Sequence, residues 1–419
     1  MNVKFRLTIM NFFQFFVWGA WLITVANYWF GTKNWDGAQF GAIFSTMGIA
    51  SIFMPTLCGI VADRWINAEK LYGALHILGG LTLLYVPQVS NPSDFFWVIL
   101  VAMIFYMPTI ALSNSVAYNA LKKGGLDVVK DFPPIRVWGT IGFIVAMWIT
   151  NLTGNKASEN QFYIAAIAAI FLGLYSFTLP KCEPEGNTTE NKSFMELMGL
   201  SSFKLFADYK LALFFVFSMF LGAALQLTNA YGDVFLDDFK HDPVYADSLV
   251  VKYSTLIMSI SQISETLFIL AIPFFLRRFG IKQVMLFSML AWVLRFGLFA
   301  FGDPVGGLWM IILSCIVYGM AFDFFNISGS LFVETSTDSK IRSSAQGLFM
   351  MMTNGFGAVL GSVVSGQIIS MYFTDAATGE KDWHNIWLTF AAYALVIAIA
   401  FAVLFKHKHN PKDVANITH

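Results

Sequence analysis

Long apolar runs follow one another along nearly the whole chain, and this feature constrains its fold most strongly. About 20 consecutive apolar residues are enough for one helix to cross the hydrocarbon layer of a membrane. Charged residues make up only 12% of the 419-residue sequence, whereas about 25% is usual in a soluble domain. A chain of this length could form a soluble core without losing so much charge. The surroundings of the protein must therefore be largely lipid.

The apolar runs predict an all-α membrane protein with about twelve transmembrane helices. The predicted spans are residues 5–30, 38–62, 70–88, 95–117, 135–153, 161–179, 211–231, 253–276, 283–301, 308–332, 345–372 and 387–405. The first run is too long for the apolar region of a signal peptide, and no small-residue cleavage site follows it. We expect this run to be retained as the first span.

The distribution of Lys and Arg supports this topology, because cytoplasmic loops carry an excess of these residues. If both termini are cytoplasmic, the inside loops hold about 20 of them and the outside loops about five. A miscounted span would invert the bias in every loop that follows it. We therefore expect an inner-membrane protein with both termini in the cytoplasm.

The longest polar segment, residues 181–210, separates an N-terminal half, 1–180, from a C-terminal half, 211–419. Residues 193–206 have apolar residues near helical spacing, which predicts an amphipathic helix on the membrane surface. Two six-helix bundles joined by a cytoplasmic linker is the layout of major facilitator transporters, whose substrate site lies at mid-membrane between the halves. The stretch from Gly59 to Arg64 resembles the loop signature of that superfamily, in which the glycine permits close helix approach.

Charged side chains occur inside four predicted spans, at Arg136, Glu265, Arg295 and Asp323. A charge at the bilayer centre costs about 2.5–3.5 kcal/mol even on lenient insertion scales. A helix beginning at Pro133 and Pro134 would place Arg136 nearer the cytoplasm. These charges either form structural ion pairs or mark a path for substrate or protons. The second interpretation is favoured, because intramembrane ionisable groups more often mark such a path.

Polar and aromatic side chains share helix faces with these charges, since residues three or four positions apart lie on the same face. The faces are Arg136, Thr140 and Phe143; Gln226, Asn229 and Asp233; Gln262 and Glu265; and Tyr318, Phe322 and Asn326, with Asp323 beside them. Some of these amides could serve only as hydrogen bonds between helices. Four such faces exceed what packing needs, and they predict a wet cavity that hydrogen-bonds a hydroxylated solute and stacks a flat ring.

A carboxylate that faces such a cavity can exchange protons with water. Its proton affinity changes if its pairing with an arginine changes as the cavity switches sides. Glu265 and Asp323 are therefore the candidates for proton coupling, with Arg136 and Arg295 as modulating cations. A sodium site is the rival interpretation, but it usually needs several oxygens around unwound backbone, for which the sequence gives no clear signal.

Longer strings in the sequence resemble the bacterial nucleoside:proton symporter family. They are DFPPIRVWGTIGF at 131–143, SISQISET at 259–266, AFDFFNISGS at 321–330, RSSAQG at 342–347 and MMTNGFG at 351–357. The resemblance covers nearly the whole chain. It implies uptake of purine and pyrimidine nucleosides across the inner membrane, driven by the proton gradient and without a bound cofactor.

The resemblance also implies a substrate pocket, whose residues here all have the expected type. They are Arg136, Thr140, Phe143, Gln226, Asn229, Gln262, Glu265, Tyr318, Phe322, Asp323 and Asn326. A wider likeness to the lactose-permease group rests on Arg136, Gly139, Gly142 and Phe143 in span five and on the intramembrane charges. A proton-coupled sugar symporter is therefore the alternative function.

The sequence gives no indication of an enzyme. It contains no G-x-S-x-G, H-E-x-x-H or G-x-x-x-x-G-K-[ST] motif, and its histidines, including His76, are expected at span ends, in loops or in the tail. Gly222, Gly355, Gly357 and Gly361 lie in apolar spans, where close helix packing is their expected role. We expect a monomer that binds nucleoside, protons and membrane lipids. The net charge of zero gives no reason to expect nucleic acid.

Overall fold

The computed structural model describes residues 2–184, 200–337 and 341–408. Over these ranges the fold is helical, and the single β-bridge joins Thr374 and Lys381. Most of the amphipathic helix predicted in the linker, residues 193–199, lies outside the described residues. Its last part is a short 3₁₀ helix, Leu200–Ala207.

The chain forms two compact units, Met1–Leu200 and Ser201–His419. The helices of the first unit are α1 Val3–Gly19, α2 Gly37–Arg64, α3 Ala68–Tyr85, α4 Pro92–Lys123, α5 Val128–Leu152 and α6 Asn160–Ser176. Those described in the second are α7 Tyr209–Asp238, α8 Leu249–Lys252, α9 Ser254–Phe301, α10 Leu308–Ser336, α11 Arg342–Met350, α12 Ala358–Tyr372 and α13 Trp383–Leu404. π-helical turns span Asn27–Thr32 and Met351–Gly357.

Within the described residues, eight helical segments are long and apolar enough to cross a membrane. One of them, α9, contains two predicted spans that meet at Gly280, whose φ of 79° suits glycine because it has no Cβ. Three more predicted spans coincide with α1, α3 and α6. Of these, α1 and α6 have only 17 residues each, and α3 carries Glu69 and Lys70 in its first turn. The structure thus supports eight spans by length and composition, and twelve stays a prediction.

Helix α5 begins earlier than the sequence predicted. The predicted start at 135 was wrong, because the helix runs from Val128 and includes both Pro133 and Pro134. Arg136 therefore lies about two turns inside α5 rather than at its first turn.

Glycines permit close helix contacts in both units. In the first, a Cβ at Gly142 would meet the backbone of Phe12 in α1. In the second, a Cβ at Gly222 would meet the backbone of Thr353, and one at Gly361 would meet Ala223. Gly222 and Gly361 are therefore packing glycines, as predicted.

Gly59 does not have the role that the sequence suggested. Among the described residues, nothing lies within 4 Å of the position that a Cβ would occupy there. The expected close approach of helices at this residue was wrong, since this side of α2 has no neighbour in contact at that point.

Candidate functional site

In the first unit, α5 presents Arg136, Thr140 and Phe143 as half-buried side chains. The guanidinium carbon of Arg136 lies 4.1 Å from the centre of the Phe15 ring on α1, a cation–π contact. The ring of Phe143 meets that of Trp18 edge to face, with centroids 6.4 Å apart and planes at 88°. Helix α1 therefore supports both the predicted cation and the predicted stacking ring.

A buried polar cluster lies beside these aromatics and was not predicted from the sequence. The Gln14 Nε2 donates to Thr109 Oγ1 at 2.9 Å, and the Tyr72 hydroxyl donates to Gln14 Oε1 at 2.7 Å. The Nε2 of His76 lies 2.9 Å from the same Oε1, and the Tyr106 hydroxyl donates to the Gln14 carbonyl at 2.7 Å. The expectation that His76 lies at a span end was wrong, because it is buried in the middle of α3.

In the second unit, α7 carries Gln226 and Asn229, and α9 carries Gln262 and Glu265. Gln226 is buried, and the other three are half-buried. The Oε1 atoms of Gln226 and Gln262 are shielded from solvent without a hydrogen-bond partner among the described residues. An unpaired buried amide oxygen costs free energy, so these two atoms are suited to accept a hydrogen bond from a polar ligand.

Three further predicted residues follow one face of α10. The rings of Tyr318 and Phe322 are stacked, with centroids 5.9 Å apart and planes at 4°. The Asn326 Nδ2 donates to the Phe322 carbonyl at 3.0 Å, which leaves the amide oxygen of Asn326 available. A face of aromatic rings followed by an amide can hold a flat heterocycle and bond to its edge.

The two candidate carboxylates lie on neighbouring helices of this unit. Asp323 is 4% exposed, and its Oδ2 has no hydrogen-bond partner among the described residues. Glu265 is half-buried on α9, the helix that packs against α10. A buried carboxylate with an unpaired oxygen is suited to holding a proton, because burial disfavours its charged form.

Arg295 is fully buried and is held by neutral groups. Its Nη1 donates to the Ser314 carbonyl at 2.7 Å, and its Nε donates to Thr228 Oγ1 at 3.2 Å. Its guanidinium carbon lies 4.7 Å from the centre of the Tyr318 ring. No ion pair of the described residues includes Arg295, so it is not locked to a carboxylate in this structure. The interpretation as a structural ion pair does not apply to this residue.

The structure brings together Arg295, Tyr318 and Phe322 through ring contacts, and places Asp323 next to them on α10. Arg136, Thr140 and Phe143 belong to the other unit. A cleft in the second unit is lined by Trp292, Phe322, Asn326, Thr353 and Asn354, among others. Trp292, Thr353 and Asn354 were not predicted as site residues. The only signal for the last two was the MMTNGFG string.

Comparison with known proteins gives one consistent result. A family profile described as "Nucleoside H+ symporter" matches residues 1–410. The chain is 52% identical to the nucleoside permease NupG of Escherichia coli K12 over 410 residues, which cover 98% of this chain and 97% of that one. It is 50% identical to the xanthosine permease of the same organism over 422 residues, covering both chains completely.

A solved structure agrees with these relatives. The crystal structure of the nucleoside transporter NupG matches this fold with a TM-score of 0.91 and 52% identity, covering 97% of this chain and 100% of that one. These relatives are permeases and not enzymes. The resemblance stated from the sequence is confirmed along nearly the whole chain, and the chain belongs to the nucleoside H⁺ symporter family.

Proposed function

We propose that this protein imports purine and pyrimidine nucleosides together with protons across the bacterial inner membrane by alternating access. The observation that carries the proposal is Asp323, a buried carboxylate with an unpaired oxygen that directly follows Phe322 in α10, whose ring is stacked with that of Tyr318. A group that exchanges protons thus adjoins a surface suited to a nucleobase. Family membership favours nucleosides over the sugar alternative.

The proposed architecture has twelve transmembrane helices in two six-helix bundles of the major facilitator type, with both termini in the cytoplasm. The protein is proposed to act as a monomer surrounded by membrane lipid. It has no bound cofactor, because the proton gradient supplies the energy. Within it, Arg136, Thr140 and Phe143 and the polar residues of α7, α9 and α10 are the proposed nucleoside contacts. Asp323, Glu265 and Arg295 are the proposed proton-coupling residues.

The chemistry assigned to each group follows from its surroundings. The buried amide oxygens of Gln226 and Gln262 accept hydrogen bonds from ribose hydroxyls or base N–H groups. Aromatic faces stack on the base and tolerate different bases, because every base has a π-face. Protonation of Asp323 removes a buried charge from beside this site, which couples its proton to the state of the cavity.

The test is uptake of radiolabelled uridine into proteoliposomes of the purified protein, with an inside-alkaline pH gradient, without one, and with the gradient collapsed by a protonophore. We expect accumulation above the external concentration only with the gradient. Excess adenosine should compete, whereas an excess of a disaccharide should not. Equal uptake with and without the pH gradient would exclude proton coupling. Binding of uridine in detergent without any flux in proteoliposomes would indicate that the protein is a sensor.

A further inference from the structure

The cleft of the second unit combines aromatic walls with a small group of polar side chains. Trp292 and Phe322 supply rings, while Asn326, Thr353 and Asn354 supply an amide, a hydroxyl and a second amide. Rings beside a few placed polar groups are the usual composition of a small-molecule site. The cleft lies within a single unit, and its lining residues come from α7, α9, α10 and the segment that precedes α12.

The local backbone explains how Asn354 reaches this cleft. It lies in the π-helical turn Met351–Gly357, a wider turn that is frequent at functional sites because it shifts side chains out of the α-helical register. Gly222 of α7 packs directly on the backbone of Thr353, and Gly357 packs on Met219. Close contact with α7 therefore fixes the backbone on both sides of Asn354.

The polar groups of the cleft differ in their remaining capacity to bind a ligand. The hydroxyl of Thr353 already donates to the Phe349 carbonyl at 3.0 Å. The amide nitrogen of Asn326 already donates to the Phe322 carbonyl at 3.0 Å. The Nδ2 of Asn354 reaches only the sulfur of Met350, at 4.0 Å, and a thioether is a weak acceptor. The amide of Asn354 keeps nearly all of its capacity to donate and accept.

We propose that Asn354 binds the hydrogen-bonding edge of the nucleobase while Phe322 contacts its face. This inference rests on the proposed nucleoside transport and names the residue that selects among bases. A carboxamide can donate and accept at once, and this is the pairing by which Asn and Gln contact the edges of bases in other proteins. A 180° rotation of its side-chain amide exchanges the positions of the oxygen and the nitrogen. Asn354 could therefore bind base edges that carry either a carbonyl or an amino group.

Two variants test this inference in the same proteoliposome assay. Asn354→Leu removes the hydrogen bonds at similar volume, and we expect the half-saturation concentration for every nucleoside to rise about tenfold. Asn354→Asp, when ionised, can only accept hydrogen bonds. At the exocyclic group of the base, uridine and inosine offer a carbonyl acceptor, whereas cytidine and adenosine offer an amino donor. If Asn354 contacts that group, the transport ratio should shift about tenfold towards cytidine and adenosine and away from uridine and inosine.

The matched control is Thr389→Val on α13, which removes a hydroxyl that likewise donates to a carbonyl four residues earlier, that of Asn385 at 2.8 Å, but that does not line the cleft. We expect it to leave the ratios among the four nucleosides unchanged. Half-saturation within about twofold of wild type for Asn354→Leu would overturn the role of Asn354. An Asn354→Asp protein that is active and transports the four nucleosides in the same ratios as wild type would also overturn it. Absence of nucleoside uptake by the wild-type protein would instead count against the proposed function.

Discussion

Arg295 and Asp323 are both buried, and each leaves one polar atom without a hydrogen-bond partner among the described residues. Arg295 contacts a carbonyl, a hydroxyl and an aromatic face, while its Nη2 is unpaired. Asp323 leaves its Oδ2 unpaired. An unsatisfied ionisable group is expensive in a membrane protein, which favours a working role over a structural one. This argument applies to both residues, to Arg295 as the cation against the Tyr318 ring and to Asp323 as a carboxylate that can bind a proton.

We expect Asp323→Asn and Glu265→Gln each to abolish accumulation of uridine above its external concentration. Both changes keep the size of the side chain and remove a proton-binding carboxylate, so the energetic link to the gradient is lost. At least one variant should still exchange labelled for unlabelled uridine across the membrane. The measurement is gradient-driven uptake beside counterflow in proteoliposomes. Wild-type accumulation in both variants would remove these carboxylates from the mechanism.

Part of this residue-level description could be predicted from the sequence and part could not. Arg295 and Asp323 were conspicuous because they interrupt apolar runs, and periodicity placed Tyr318, Phe322 and Asn326 on one face. The cluster of Gln14, His76 and Tyr106 was missed, because its members come from three helices and only tertiary packing unites them.

Among the helices, glycine contacts decide how closely neighbours pack. Gly142 of α5 faces the backbone of Phe12 in α1, so any side chain there must push the two helices apart. The same pair of helices carries Arg136 and Phe143, together with the Phe15 and Trp18 rings that support them. A shift of α1 against α5 would therefore disturb the predicted site as well as the packing.

We expect Gly142→Ala to destabilise the protein by about 1–3 kcal/mol, the usual cost of overpacking a tight contact. Gly297→Ala is the matched control, because it also lies in a helix but has no neighbour within 4 Å. It should be neutral or stabilising by about 0.5–1 kcal/mol, since alanine restricts the unfolded chain. Thermal unfolding of the purified proteins in detergent measures the change in stability of each variant. Equal melting temperatures for the two variants would show that the α1–α5 contact adapts without cost.

Helix positions were more predictable than helix irregularities. The length of the apolar runs in the sequence predicted where the helices lie. It could not predict the π-helical turns at Asn27–Thr32 and Met351–Gly357, because these depend on contacts between helices. Prolines misled the prediction for α5, because a pair that normally begins a helix lies inside one here. The second irregular turn contains Asn354, so the part of the fold that was hardest to predict is also the part that completes the cleft.

At the scale of the whole molecule, the arrangement of spans depends on whether α9 crosses the membrane once or twice. Its 48 residues exceed what one crossing needs, and Gly280 breaks it where Arg277, Arg278 and Lys282 cluster. Cationic residues concentrate on the cytoplasmic side, so this break should be a cytoplasmic turn between two spans. Two crossings would place the loops on either side of α9, at Val244 and Val305, on the periplasmic side of the inner membrane.

Cysteine labelling of intact cells tests that arrangement. The three native cysteines are free and buried, which keeps background labelling low. We expect Val244→Cys and Val305→Cys, at positions 75% and 69% exposed, both to react with a membrane-impermeant maleimide. Lys122→Cys, in a predicted cytoplasmic loop, should react only after permeabilisation. If Val305→Cys also needed permeabilisation while Val244→Cys did not, α9 would cross once. The twelve-span topology would then be wrong.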